Sequence, residues 1–238
     1  MVSNRPAANF PQHEYGVVKE VVTVAHGNLS RVKELVGARP ALARVSWDWG
    51  FGDWETPIDA ASHVGNRPIA EFLIANGSRP TIYTAAMLGQ LPIVKRWIES
   101  VPGVQRNRGP HGITLLAHAK SGGAAASEVY EYLQSLGDAD PKYLDLPVVA
   151  TDAAAIVGEY AFGPDAADRL IVARTDTGAF TIQHPGTFAR GLFHQGELAF
   201  LPMGAEAVRI RFEREGTRAP ALVVEDGPQR VRAERARP

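Results

Sequence analysis

Residues 56–80 read TPIDAASHVGNRPIAEFLIANGSRP, and this stretch decides the architecture of the first half of the chain. Thr56 followed by Pro57 is a helix start, since a threonine hydroxyl caps free N–H groups and proline is tolerated in the first turn. Ala60 and Ala61 are small enough for a neighbouring helix to approach closely. Gly65 suits the left-handed end of that helix, Ile69, Phe72, Leu73 and Ile74 supply the apolar face of a second, and Gly77 ends it. One such helix–turn–helix unit cannot bury its apolar face alone, so it predicts stacked neighbours.

Those neighbours are present. Residues 84–103, TAAMLGQLPIVKRWIESVPG, set Gly89 against Gly65 and Ile93 against Ile69. Residues 111–141 place Thr114, Leu116, Ala119, Gly123 and Gly137 on the same scaffold, and residues 21–40 supply Gly27, Asn28, Leu29, Val32, Leu35 and Val36. The Thr56–Pro57–Ile58–Asp59 opening with Ala60 and Ala61 resembles the Thr-Pro-Leu-His-x-Ala signature of ankyrin repeats. That resemblance implies an α solenoid of about four degenerate units over residues 17–140. It also implies protein–protein recognition through the finger loops and the concave face. The aligned glycines stand 38, 24 and 34 residues apart, against a family period of about 33. An enlarged loop is therefore expected between the first and second units, and almost none between the second and third.

After Pro141 the period changes to alternation. In Val208–Glu215, VRIRFERE, Val208, Ile210 and Phe212 face one way and the charged residues the other. Turn signals such as Asp176–Thr177–Gly178, Pro185–Gly186 and Asp226–Gly227–Pro228 recur at the spacing of a meander. Eight strands are expected near residues 156–162, 169–175, 179–183, 190–194, 197–201, 208–213, 220–224 and 229–234. Short turns between them predict an antiparallel barrel, which has no exposed edge. Gly158–Glu159–Tyr160, the Asp176–Gly178 turn before Phe180, Phe200 with Gly204, Phe212 before Glu215–Gly216, and Gly227 with Arg232 resemble the small lipocalin-like domain appended to β-lactamase-fold serine hydrolases. In that setting the domain is an accessory, and no catalytic residue carries over. The expected class is thus α+β and multidomain, an ankyrin-like α solenoid followed by a small antiparallel β barrel. Its divisions are an extension over residues 1–16, repeats over 17–145 and the barrel over 146–238.

The chain has 238 residues and a formal net charge of −1, which argues against a polyanion-binding protein and so against nucleic acid as partner. It contains no cysteine, which excludes disulfides, thiolate metal sites and cysteine nucleophiles. No apolar run approaches the length of a membrane span, so no membrane partner and a cytoplasmic location are expected.

Catalytic signatures fail one after another. Ser30-Arg31-Val32-Lys33 has Ser-x-x-Lys spacing but opens a repeat's second helix and lacks the α/β domain such a serine needs. Gly50-Phe51-Gly52 continues to Glu55 where a dinucleotide loop requires glycine. The seven histidines form no HExxH pair; His111 and His118 fall in a loop and a helix, so hydrogen bonding and packing outweigh joint metal ligation. No catalytic residue, no metal ligand and no cofactor is expected.

One segment stands out: Trp47-Asp48-Trp49-Gly50-Phe51-Gly52-Asp53-Trp54-Glu55 holds three of the four tryptophans beside three acids. It occupies the enlarged loop. Large aromatics on a glycine-flexed loop anchor partners, so Trp47, Trp49, Phe51, Asp53, Trp54 and His111 are the expected partner-binding residues; the competing reading folds the rings back to cap the first unit. The expected function is non-catalytic binding of another protein. The alternative is a carrier holding a small apolar ligand in the barrel near Tyr160, His184 and His194. A third reading is an enzyme using Asp53, Glu55 and His111 at the domain junction.

Overall fold

The computed structural model describes residues 10–236. The chain forms two compact units, Met1–Pro141 and Lys142–Pro238. Most of the expected N-terminal extension lies outside the described residues.

The first unit is helical. Its elements are α1 (Tyr15–Val24), α2 (Leu29–Ala38), the short strands β1 (Trp47–Asp48) and β2 (Trp54–Glu55), α3 (Pro57–His63), α4 (Arg67–Ala75), α5 (Ile82–Met87), α6 (Leu91–Ser100), α7 (Leu115–Ser121) and α8 (Ser127–Leu136). The helices pair in chain order, and within the stack α1 packs on α3, α3 on α5 and α5 on α7. Thr56 caps α3 as expected: its hydroxyl accepts from the Asp59 N–H while the Asp59 carboxylate accepts from the Thr56 N–H, a reciprocal capping box. Ala60 and Ala61 are fully buried beside Ile58, Ile69 and Leu73. Gly65 has φ 76°, and a Cβ there would sit 2.1 Å from the Ser121 carbonyl oxygen, so glycine is required for both conformation and approach.

The second unit opens with α9 (Ala150–Ile156) and continues as β3 (Gly158–Ala161), β4 (Arg169–Arg174), β5 (Phe180–Gln183), β6 (Arg190–Gly196), β7 (Ala199–Pro202), β8 (Val208–Glu215), β9 (Arg218–Asp226) and β10 (Gln229–Arg235). These eight strands follow one another antiparallel around a closed barrel, with β10 pairing back to β3. Ile156, expected in the first strand, instead ends α9. The expected boundary at residue 145 falls inside a segment held by this unit: Leu146 N–H donates to the His194 carbonyl at 2.9 Å and the Asp145 carboxylate accepts from the His194 N–H at 2.8 Å. Inside, Phe180 and Phe200 meet edge to face at 5.8 Å, Phe200 and Phe212 at 5.5 Å, and Phe212 and Tyr160 at 5.7 Å.

Candidate metal centre

The site starts at the finger between the first two helix pairs. In its hairpin Trp47 stands opposite Glu55 and Asp48 opposite Trp54. Three successive tip residues, Gly50, Phe51 and Gly52, have φ of 103°, 62° and 78°. Asp48 fastens that tip by accepting the Gly50 N–H at 2.8 Å, and the Trp49 N–H donates to the Asp53 carbonyl at 3.0 Å. Trp47 and Trp49 are half-buried against the core of the first two pairs, whereas Trp54 is 59% exposed. Two of the finger's rings therefore fold back on the helix pairs, and the third faces solvent.

Its acids turn inward. Glu55 is fully buried and Asp53 nearly so. Around Glu55 gather three imidazoles. His26 lies two residues beyond α1, His63 is the last residue of α3, and His111 occupies the turn before α7 with φ 58°. The His63 Nε2 is 2.9 Å from Glu55 Oε1 and 3.1 Å from the His26 Nε2; the His111 Nε2 is 3.2 Å and the His26 Nε2 3.6 Å from the same oxygen. One ligand atom from each of the four residues lies within 4.8 Å of every other.

The outer contacts fix which atoms face inward. The His111 Nδ1 is 2.8 Å from Asp53 Oδ2, and Asp53 Oδ1 accepts the His111 backbone N–H at 2.8 Å. The His26 Nδ1 is 3.0 Å from the Thr23 carbonyl oxygen. A carboxylate and a carbonyl only accept, so both Nδ1 atoms carry protons, and in the neutral rings the Nε2 lone pairs converge on the Glu55 oxygen. Lone pairs aimed at an anion repel unless a cation sits between them. The other Glu55 oxygen accepts the Trp49 indole N–H at 2.8 Å. A histidine whose outer nitrogen donates to a carboxylate or carbonyl is the usual support of a metal ligand. Helix ends add to this, because α1 and α3 both bring their C-terminal, partially negative ends here.

Without an ion a proton answers the same demand. Burial pushes the His111 imidazole down, but hydrogen bonds to Asp53 and Glu55 and their charges outweigh it and raise it to about 9. Burial would likewise raise the Glu55 carboxyl, yet the hydrogen bonds from His111 and His63, with the charges of His111 and His26, hold it at about 2. An imidazole that ligates a metal is neutral, so as a ligand set the three rings leave the two buried carboxylates' charge of −2 for one divalent cation to neutralise.

Of the residues expected to matter, Asp53, Glu55 and His111 are brought together, all within the helical unit. Trp47, Trp49 and Phe51 shape the finger above them. His26 and His63 are not among the expected site residues. Both lie where the two helices of a pair join, His26 beside Gly27 and His63 two residues before Gly65, and the stacking of the helix pairs brings these joins together. His118 stays apart: it is fully buried, its Nδ1 is 2.8 Å from the Thr114 carbonyl, and its ring lies against Tyr83. In the barrel the Tyr160 hydroxyl donates to the Ile156 carbonyl at 2.7 Å and His194 packs on Phe200, while His184 stacks on Phe162 beside its own turn.

No protein-family model matches the chain, and no curated protein or solved structure does either.

Proposed function

We propose that the helical unit is a metal-binding module that takes one divalent transition-metal ion on His26, His63, His111 and Glu55. The observation that carries this reading is the inward aim of the Nε2 atoms, set for His26 and His111 by Thr23 and Asp53. Imidazole and carboxylate ligands suit the zinc-to-manganese range of first-row metals. We read the helix pairs as ankyrin-like repeats, supported by the Thr56 capping box and the stacking of successive pairs. We read the barrel as an accessory domain of the lipocalin-like kind, supported by its eight-strand meander. The interior chain of aromatic rings favours that role over a carrier's.

Metal analysis of the purified chain tests the reading. One equivalent per chain is expected, falling below a tenth in Glu55→Gln and in His63→Ala, with the circular-dichroism spectrum retained. A wild-type chain that takes up no divalent ion stoichiometrically would contradict it.

A second reading is favoured by a separate observation. Exposed Trp54 and Tyr15 line a groove with Gln12, His13, Trp47 and Asp48, so the finger's outer face is where recognition of another protein would occur. Trp54→Ala should leave metal content unchanged and remove that recognition.

A further inference from the structure

Resting on the metal-binding reading, we infer that the site is closed: a four-coordinate centre of the zinc class that fastens the aromatic finger to the helix pairs and keeps no position for a substrate. The donor arrangement argues this first. In a tetrahedral centre with bonds of ~2.0–2.1 Å, neighbouring ligand atoms stand roughly 3.3–3.4 Å apart. Four of the six separations run from 2.9 to 3.6 Å around that value, and all six lie within 4.8 Å. Glu55 Oε1 is close to all three nitrogens, so no imidazole lies across the ion from it. A square-planar ion sets every ligand opposite another, which this set cannot supply.

The supporting contacts argue it second. Trp49 occupies Glu55 Oε2, so the carboxylate offers one oxygen, and with the three Nε2 atoms the count is four. Four protein ligands complete a structural zinc site, whereas catalytic sites use three and leave one position to water.

The sources of the ligands show what the ion fastens. His26 follows α1, His63 ends α3, His111 precedes α7, and Glu55 belongs to the finger. Asp53, also on the finger, grips both the backbone and the ring of His111. One ion therefore ties together four segments that no side-chain covalent cross-link joins. It also holds His111 in a left-handed backbone conformation that a non-glycine residue adopts only when its surroundings compel it. With no cysteine in the chain, a disulfide is not an alternative fastener.

The experiment uses the full chain stripped with a chelator and titrated with Co2+, then Zn2+. One equivalent of Co2+ should give the intense visible absorption of a four-coordinate ion, and Zn2+ should displace it. Hydrogen exchange on the same samples should show residues 49–55 and 109–112 gaining at least tenfold protection on Zn2+ addition, with β3–β10 unchanged. Stoichiometric Co2+ with the weak bands of five- or six-coordination would overturn the closed site while leaving metal binding intact. Binding without any gain in finger protection would overturn the fastening role. Absence of stoichiometric binding would remove the reading beneath both.

Discussion

Asp53 is not one of the four proposed ligands, yet it sets how His111 is presented. Replacing it with asparagine keeps the shape but removes the charge and one of its two acceptors. Loss of such a supporting carboxylate costs about 10–100-fold in metal affinity. Competition against a chromophoric chelator should show a loss in that range for Asp53→Asn, with stoichiometry still one; an unchanged affinity would mean Asp53 does not support the site. His118 makes a different prediction. Burial holds its imidazole down at about 4, opposed in part by the Thr114 carbonyl and reinforced by His63. Below the ordinary value of 6.5 the unfolded chain binds a proton that the folded chain refuses until about pH 4. Its stability contribution is therefore complete above pH 6.5 and lost as pH falls from there to 4, by about 3 kcal/mol at ~1.4 kcal/mol per unit. Urea unfolding at pH 7 and pH 4.5 should show this loss, and His118→Gln should flatten the profile. An equally steep profile in the variant would assign the acid sensitivity elsewhere.

Elements followed from sequence where local chemistry dictates them. The Thr56–Asp59 capping box, the left-handed Gly65 and the alternation in Val208–Glu215 each encode their own geometry, and the helix starts and barrel strands stand where those signals put them. The four residues of the candidate metal centre do not work that way. His26 and His63 are 37 residues apart, Glu55 and His111 56, and short-spacing motifs cannot join residues whose proximity is created by stacking one turn on the next. Asp53, Glu55 and His111 could be grouped from the sequence as polar residues in loops; what held them together could not. Gly65 tests the stacking itself. Alanine there would meet the Ser121 carbonyl at 2.1 Å in a conformation that alone costs ~1–2 kcal/mol. Gly65→Ala should lower stability by more than that amount in chemical denaturation. A neutral result would mean α3 and the end of α7 do not approach as described.

At the scale of the molecule, two units with separate cores imply two responses. Where two units unfold independently, a bound ligand stabilises the one that binds it. Zn2+ should raise the melting of the helical unit and leave the barrel's transition in place. Phe200→Ala, which removes the central ring of the barrel core, should cost about 3–5 kcal/mol in the barrel transition and leave zinc affinity unchanged. Scanning calorimetry with and without the ion separates these. A barrel transition that moved with zinc would mean the units unfold together.

A crystal structure of the zinc-loaded chain, with data collected on both sides of the zinc absorption edge, decides whether His26, His63, His111 and Glu55 hold one ion. A single anomalous peak is expected within about 2.0–2.2 Å of Glu55 Oε1 and the Nε2 atoms of His26, His63 and His111. A loaded crystal with density for those four side chains and no anomalous peak among them would contradict it.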